Sequence, residues 1–111
     1  MRNFSIQWIN DYTRNDSICL AFSGNAGDCL HVKNIRFFTS GETKADTGEE
    51  SLHLVTIGST ATLQHFRLPA PDKVYTEMKF EVAQKGQKGW LVTIDLTSHY
   101  PDIQEAPYQV L

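Results

Sequence analysis

The chain has 111 residues, a net charge of −3 from 10 Lys and Arg against 13 Asp and Glu, 41% hydrophobic residues and twelve aromatics (6 Phe, 4 Tyr, 2 Trp). This length holds one core, able to bury about two thirds of the chain's surface without a metal or a disulfide framework. The aromatic content excludes a disordered chain, no apolar run approaches the about 18 residues of a membrane span, and no cluster of cations is available to neutralise nucleic-acid phosphates.

The pattern along the chain has period two, the signature of strands half-buried in a sheet. Phe4, Ile6 and Trp8 alternate with Ser5 and Gln7, and after a polar stretch Ile18, Leu20 and Phe22 alternate with Ser17, Cys19 and Ala21. Residues 23–28 (SGNAGD) are a turn by composition, since Gly and Asn tolerate positive φ. From Cys29 to Phe38 the apolar parity switches from even (Leu30, Val32) to odd (Ile35, Phe37). That switch predicts a bulge near Lys33 and Asn34.

Residues 39–50 (TSGETKADTGEE) hold no aromatic or large aliphatic, which predicts a mobile acidic surface loop. Residues 51–68 read as a hairpin closed by Gly58-Ser59-Thr60, with Val55 facing Leu63 and His53 facing His65. Pro69 and Pro71 then break the chain. Val74, Thr76, Met78, Phe80 and Val82 alternate with polar residues, and Trp90, Val92, Ile94 and Leu96 repeat the pattern across a Gly-containing turn. Pairing Val82 with Trp90 sets Phe80 opposite Val92 and Met78 opposite Ile94, so that both apolar faces coincide. Residues 101–111, with two prolines, read as an irregular tail along the surface.

About seven strands with turn-rich connections predict an all-β single domain over 1–111, an antiparallel β-sandwich. Cys19 and Cys29 lie only ten positions apart, too close for an immunoglobulin bridge; the two thiols either face one another across a hairpin or stay reduced. If Met1 is the natural start, the missing apolar leader predicts a cytoplasmic protein, whereas a removed leader would make it secreted.

Few residues suggest chemistry. His53 and His65, opposite one another in the predicted hairpin, are the candidate metal ligands, although a third ligand is not evident and a histidine pair that merely packs or is exposed is the better reading. Ser98, His99 and Asp102 are the residue types of a hydrolase triad, but at a strand end they point apart. Glu77, Lys79, Glu81 and Asp95 mix charges in the way of a solvated outer face. Tyr12, Tyr75, His99 and Tyr100 fall at predicted strand ends or on a polar face, and tyrosine's flat ring with a hydroxyl suits protein or sugar surfaces. Trp8 and Trp90 have core parity.

These features predict a recognition module without catalytic apparatus or cofactor, binding a protein partner, inhibitor- or adaptor-like, through loops or an exposed sheet face. A lectin-like glycan-binding protein is the alternative. A small metal-binding protein or enzyme built on the histidine pair is the third. An open sandwich also leaves edge strands through which copies of the chain can pair into a homo-oligomer.

Overall fold

The computed structural model describes residues 2–9, 16–48, 51–55, 60–70 and 72–111, except the side chains of Ser51 and of residues 53–55. Among the described residues every regular element is a strand: β1 (Ser5–Ile9), β2 (Ser17–Ser23), β3 (Cys29–Thr39), β4 (Asp46–Thr47), β5 (Ser51–Val55), β6 (Thr62–Arg67), β7 (Tyr75–Gln84), β8 (Trp90–Asp95) and β9 (Tyr100–Glu105). No helix is long and apolar enough to cross a membrane. The strands form two antiparallel sheets, one ordered β1-β2-β6 and one ordered β4-β3-β7-β8-β9, with β5 joining β3 along the same edge as β4. The architecture is an all-β sandwich, as the alternation predicts, with β4 and β9 added to the seven expected strands.

The core lies between the sheets and follows the period-two pattern. Phe4, Ile6, Leu20, Phe22 and Phe66 meet Leu30, Val32, Met78, Phe80, Val82, Val92 and Ile94. Its centre is aromatic. Phe80 of β7 stacks on Phe66 of β6 with ring centroids 5.8 Å apart and lies 6.3 Å from Phe22 of β2. The β7–β8 hairpin has the expected register, Val82 with Trp90, Phe80 with Val92 and Met78 with Ile94.

Two register shifts in the β3–β7 ladder re-aim side chains. The first, between Lys33 and Arg36, is the bulge that the parity switch predicts, and Asn34 there has φ 53°. The second comes where Phe38 pairs Glu77 but Thr39 pairs Tyr75, so Thr76 is the extra residue. One extra residue inverts the parity beyond it. Val74, expected in the core, is therefore exposed, and Tyr75, expected on the polar face, is buried.

The 51–68 hairpin does not form. β5 pairs β3 in the larger sheet while β6 pairs β2 in the smaller one, so the chain crosses between sheets. Alternation places Leu52 and Phe66 toward a core in either arrangement, because it specifies a face and not a partner. The cysteines are also apart, a buried Cys19 in β2 and an exposed Cys29 in β3, neither in a disulfide.

The polar stretch 39–50 is tied down at its end. Asp46 and Thr47 pair Phe37 and Arg36 of β3, and the Gly48 amide donates to the Ile35 carbonyl at 2.9 Å. Gly48 is required there, since a Cβ would lie 2.8 Å from Ile35 Cγ2 and 2.9 Å from Phe37 Cε1. Asp46 accepts hydrogen bonds from the Tyr75 hydroxyl (2.6 Å) and from Lys73 Nζ (3.0 Å). These donors, Tyr75 foremost, hold the Asp46 carboxyl below its ordinary 3.8. A depressed carboxyl contributes stability above its unfolded pKa and loses it as pH falls through the folded value. Tyr75→Phe is therefore expected to lower the urea midpoint near neutral pH and to converge with the parent below about pH 3.8, read by unfolding at both pH values. Equal differences at both would contradict the tie.

The tail is also ordered. Residues 100–105 form β9, and the Ala106 and Val110 amides donate to the Gly89 and Lys88 carbonyls at 2.9 and 2.8 Å. Pro101 is admitted because β9 is an edge strand, where a missing donor costs nothing on the open side.

Candidate functional site

β1 and β9 are edges of different sheets, and they meet at one side of the sandwich. Beside that contact, Trp8 of β1 meets His99 in the β8–β9 turn, their rings stacked in parallel with centroids 4.2 Å apart. The turn is built by Asp95, the last residue of β8. Its Oδ1 accepts from the Thr97 amide (2.9 Å), the Thr97 hydroxyl (2.6 Å) and the Ser98 amide (3.2 Å). This local cap is what short acidic side chains do at turns, and its donors, the Thr97 hydroxyl first, hold the Asp95 carboxyl below 3.8. The His99 amide closes the turn on the Asp95 carbonyl at 2.8 Å, with His99 at φ 61°. Parallel aromatic stacking adds about 0.5–1.5 kcal/mol beyond the area it buries.

Tyr100 follows at once and is 66% exposed. It pairs Asp95, which pairs Glu77, which pairs Phe38, so these four form one row across the outer face of the larger sheet. Glu77 and Asp95 are thus adjacent, as the hairpin register predicts, yet Asp95 is committed to its turn and Lys79 Nζ lies 3.8 Å from Glu77. That face is charged and solvated. Lys79 also lies 5.6 Å above the Phe38 ring.

The candidate residues therefore separate. His99 and Tyr100 are adjacent and exposed, joined by Trp8, whose core parity conceals that it sits half-buried near the end of an edge strand. Tyr75 is withdrawn from any binding surface: it is buried, its ring is 5.6 Å from Phe37, and its hydroxyl is bonded to Asp46. Tyr12 lies outside the described residues. Ser98 and Asp102 have partners other than His99: the Ser98 amide donates to Asp95, and Asp102 accepts from Gln104 at 3.2 Å.

The expected His53–His65 pair is also separated, because the two strands enter different sheets. The register of β5 sets His53 opposite His31, and that of β6 sets His65 opposite Cys19. Among the described residues no three His, Cys, Asp or Glu side chains are gathered as a metal ion would require.

No protein-family model matches the chain, and no curated protein or solved structure matches it.

Proposed function

We propose that this chain is a recognition module that binds a protein partner at the edge formed by Trp8, His99 and Tyr100. The carrying observation is the Trp8–His99 stack, which couples the two sheets at the place where Tyr100 stands exposed. A hot spot needs flat aromatic area held still beforehand, because ordering side chains on binding costs affinity. The Asp95 cap provides that stillness and the stack fixes His99. The same stack occupies one face of the indole, which leaves Trp8 poorly suited to lie against a sugar ring and favours a protein over a glycan.

Tagged protein used as bait in an extract of its native source, with and without competing sugars, tests the reading by mass spectrometry. One stoichiometric protein partner that survives sugar competition is the expected result. Tyr100→Ala and His99→Ala are each expected to weaken its binding by about 2 kcal/mol or more, roughly thirtyfold. Glycoproteins released by a sugar, or a partner indifferent to both substitutions, would overturn the proposal.

A further inference from the structure

Strand register arranges the outer face of the larger sheet in rows. The row that begins at Tyr100 runs through Asp95 and Glu77 to Phe38, and the next holds Asp102, Thr93, Lys79 and Arg36. The third pairs Gln104, Leu91, Glu81 and Lys33. Carboxylates thus gather toward Tyr100, and the two cations of β3, Lys33 and Arg36, stand at the far end of their rows. Between Asp95, Glu77 and Phe38 the surface sinks into a cleft of about 380 Å³, walled also by Thr39, Glu42 and Thr76. Thr76 is the extra residue of the second bulge. The Thr39 hydroxyl is buried with no hydrogen-bond partner among the described residues. The Asp95 turn takes its three donors on Oδ1 alone, and no described residue donates to Oδ2. Glu77 is held only by the long contact with Lys79, an exposed pair of little worth.

We infer that the partner presents a basic segment to this face and sets an arginine side chain in the cleft. The inference rests on the recognition surface proposed above and names the chemistry of its partner. Glu42, Glu77 and Asp95 border the cleft, and none of the described residues lining it is basic. Among the described residues no three acidic groups are gathered as closely as a metal ion requires, so a large, delocalised cation suits the space better. A guanidinium has five donors in a flat fork, enough to serve carboxylates on both walls and the Thr39 hydroxyl together. Its plane also stacks on aromatic rings, which an ammonium does less well. Such rings stand at both ends of the row, Phe38 and Tyr100. Phe38 already carries a cation over its face, with Lys79 Nζ 5.6 Å from the ring centroid. Lys33 and Arg36 repel a basic segment from the far end of the sheet, which confines it to the Tyr100 end.

Nuclear magnetic resonance of the ¹⁵N-labelled full chain tests this with a short glycine peptide bearing two arginines. The control is the same peptide bearing citrulline, which keeps the shape and loses the charge. The amide signals of Phe38, Glu42, Glu77, Thr97 and Tyr100 are expected to shift and saturate with the arginine peptide and to stay still with the control. Raising the ionic strength from about 0.1 M to about 1 M shortens the screening length from about 10 Å to about 3 Å, and is expected to weaken the binding. Glu42→Gln combined with Glu77→Gln is expected to weaken it about fivefold, the loss of two exposed ion pairs. Lys33→Gln is expected to change it by less than about twofold. No saturable shift up to millimolar arginine peptide, an equal response to citrulline, or an unchanged double variant would overturn the inference. Capture of the partner separates it from the reading beneath. If Tyr100→Ala weakens capture and the double glutamine variant does not, the recognition surface stands and the basic segment falls. If capture is indifferent to Tyr100→Ala, both fall.

Discussion

Phe80→Ala is expected to lower the unfolding free energy by about 3–5 kcal/mol, the cost of truncating a fully buried phenylalanine whose neighbours cannot close the space. Phe80 is 1% exposed and belongs to the larger sheet, while both rings it meets, Phe22 and Phe66, belong to the smaller one. The lost ring is thus part of the contact between the layers. Strands on either side keep their backbone hydrogen bonds, so the cavity has no easy route to collapse. Domains of this size have about 5–15 kcal/mol in total, and the variant gives up a third or more of a mid-range value. Urea unfolding should show a lower midpoint with an unchanged slope. Thr93→Ala, on the outer face of β8, should stay within about 0.5 kcal/mol. A Phe80→Ala cost below about 1 kcal/mol would mean that the aromatic junction does not hold the sheets together.

The sandwich was readable from the chain because alternation acts residue by residue and needs no partner to be identified. Where a turn also constrained the pairing, as between Val82 and Trp90, the register followed too. Alternation is silent on which strand lies beside which. The segments 51–55 and 62–67 satisfy the same apolar pattern whether they pair with each other or cross between sheets, and the structure takes the crossing. Bulges were half-visible. The one near Asn34 shifts the parity of large apolar residues and leaves a trace in the sequence. The one at Thr76 exchanges Val74 for Tyr75, and a valine followed by a tyrosine is an acceptable strand start in either phase.

The recognition surface was legible in part for a related reason. His99 and Tyr100 stand out as aromatic groups at a strand end, but Trp8 carries core parity and its role depends on β1 being an edge that meets β9. That meeting is a property of strand order, which no local pattern encodes. The metal candidates show the same boundary. His53 was visible as a potential ligand, while its cross-strand neighbour proved to be His31 instead of His65.

Gly89→Ala is expected to destabilise the protein through two separable effects. Gly89 is buried with φ at +123°, a conformation closed to L side chains, and forcing alanine into such a region costs about 1–3 kcal/mol. A Cβ there would also lie 2.5 Å from Val110 Cγ2, 2.6 Å from Val110 Cβ and 3.2 Å from the Val82 carbonyl oxygen. Overpacking of this kind costs a further about 1–3 kcal/mol unless a neighbour yields. Val110 is the neighbour able to yield, because it lies outside any strand and is held by its amide bond to Lys88 and by burial against Gly89. Hydrogen exchange should therefore show faster exchange at Val110, and at Ala106, which donates to Gly89 itself. Val110→Gly removes the clashing atoms, so combining it with Gly89→Ala should cost less than the sum of the single changes by about 0.5–3 kcal/mol. The backbone part should remain. Gly86→Ala isolates that kind of cost, since Gly86 has φ +81° and open space around its missing Cβ; about 1–2 kcal/mol is expected there. Additive single and double variants, with unchanged exchange at Val110, would refute the packing of the C-terminal segment onto the turn.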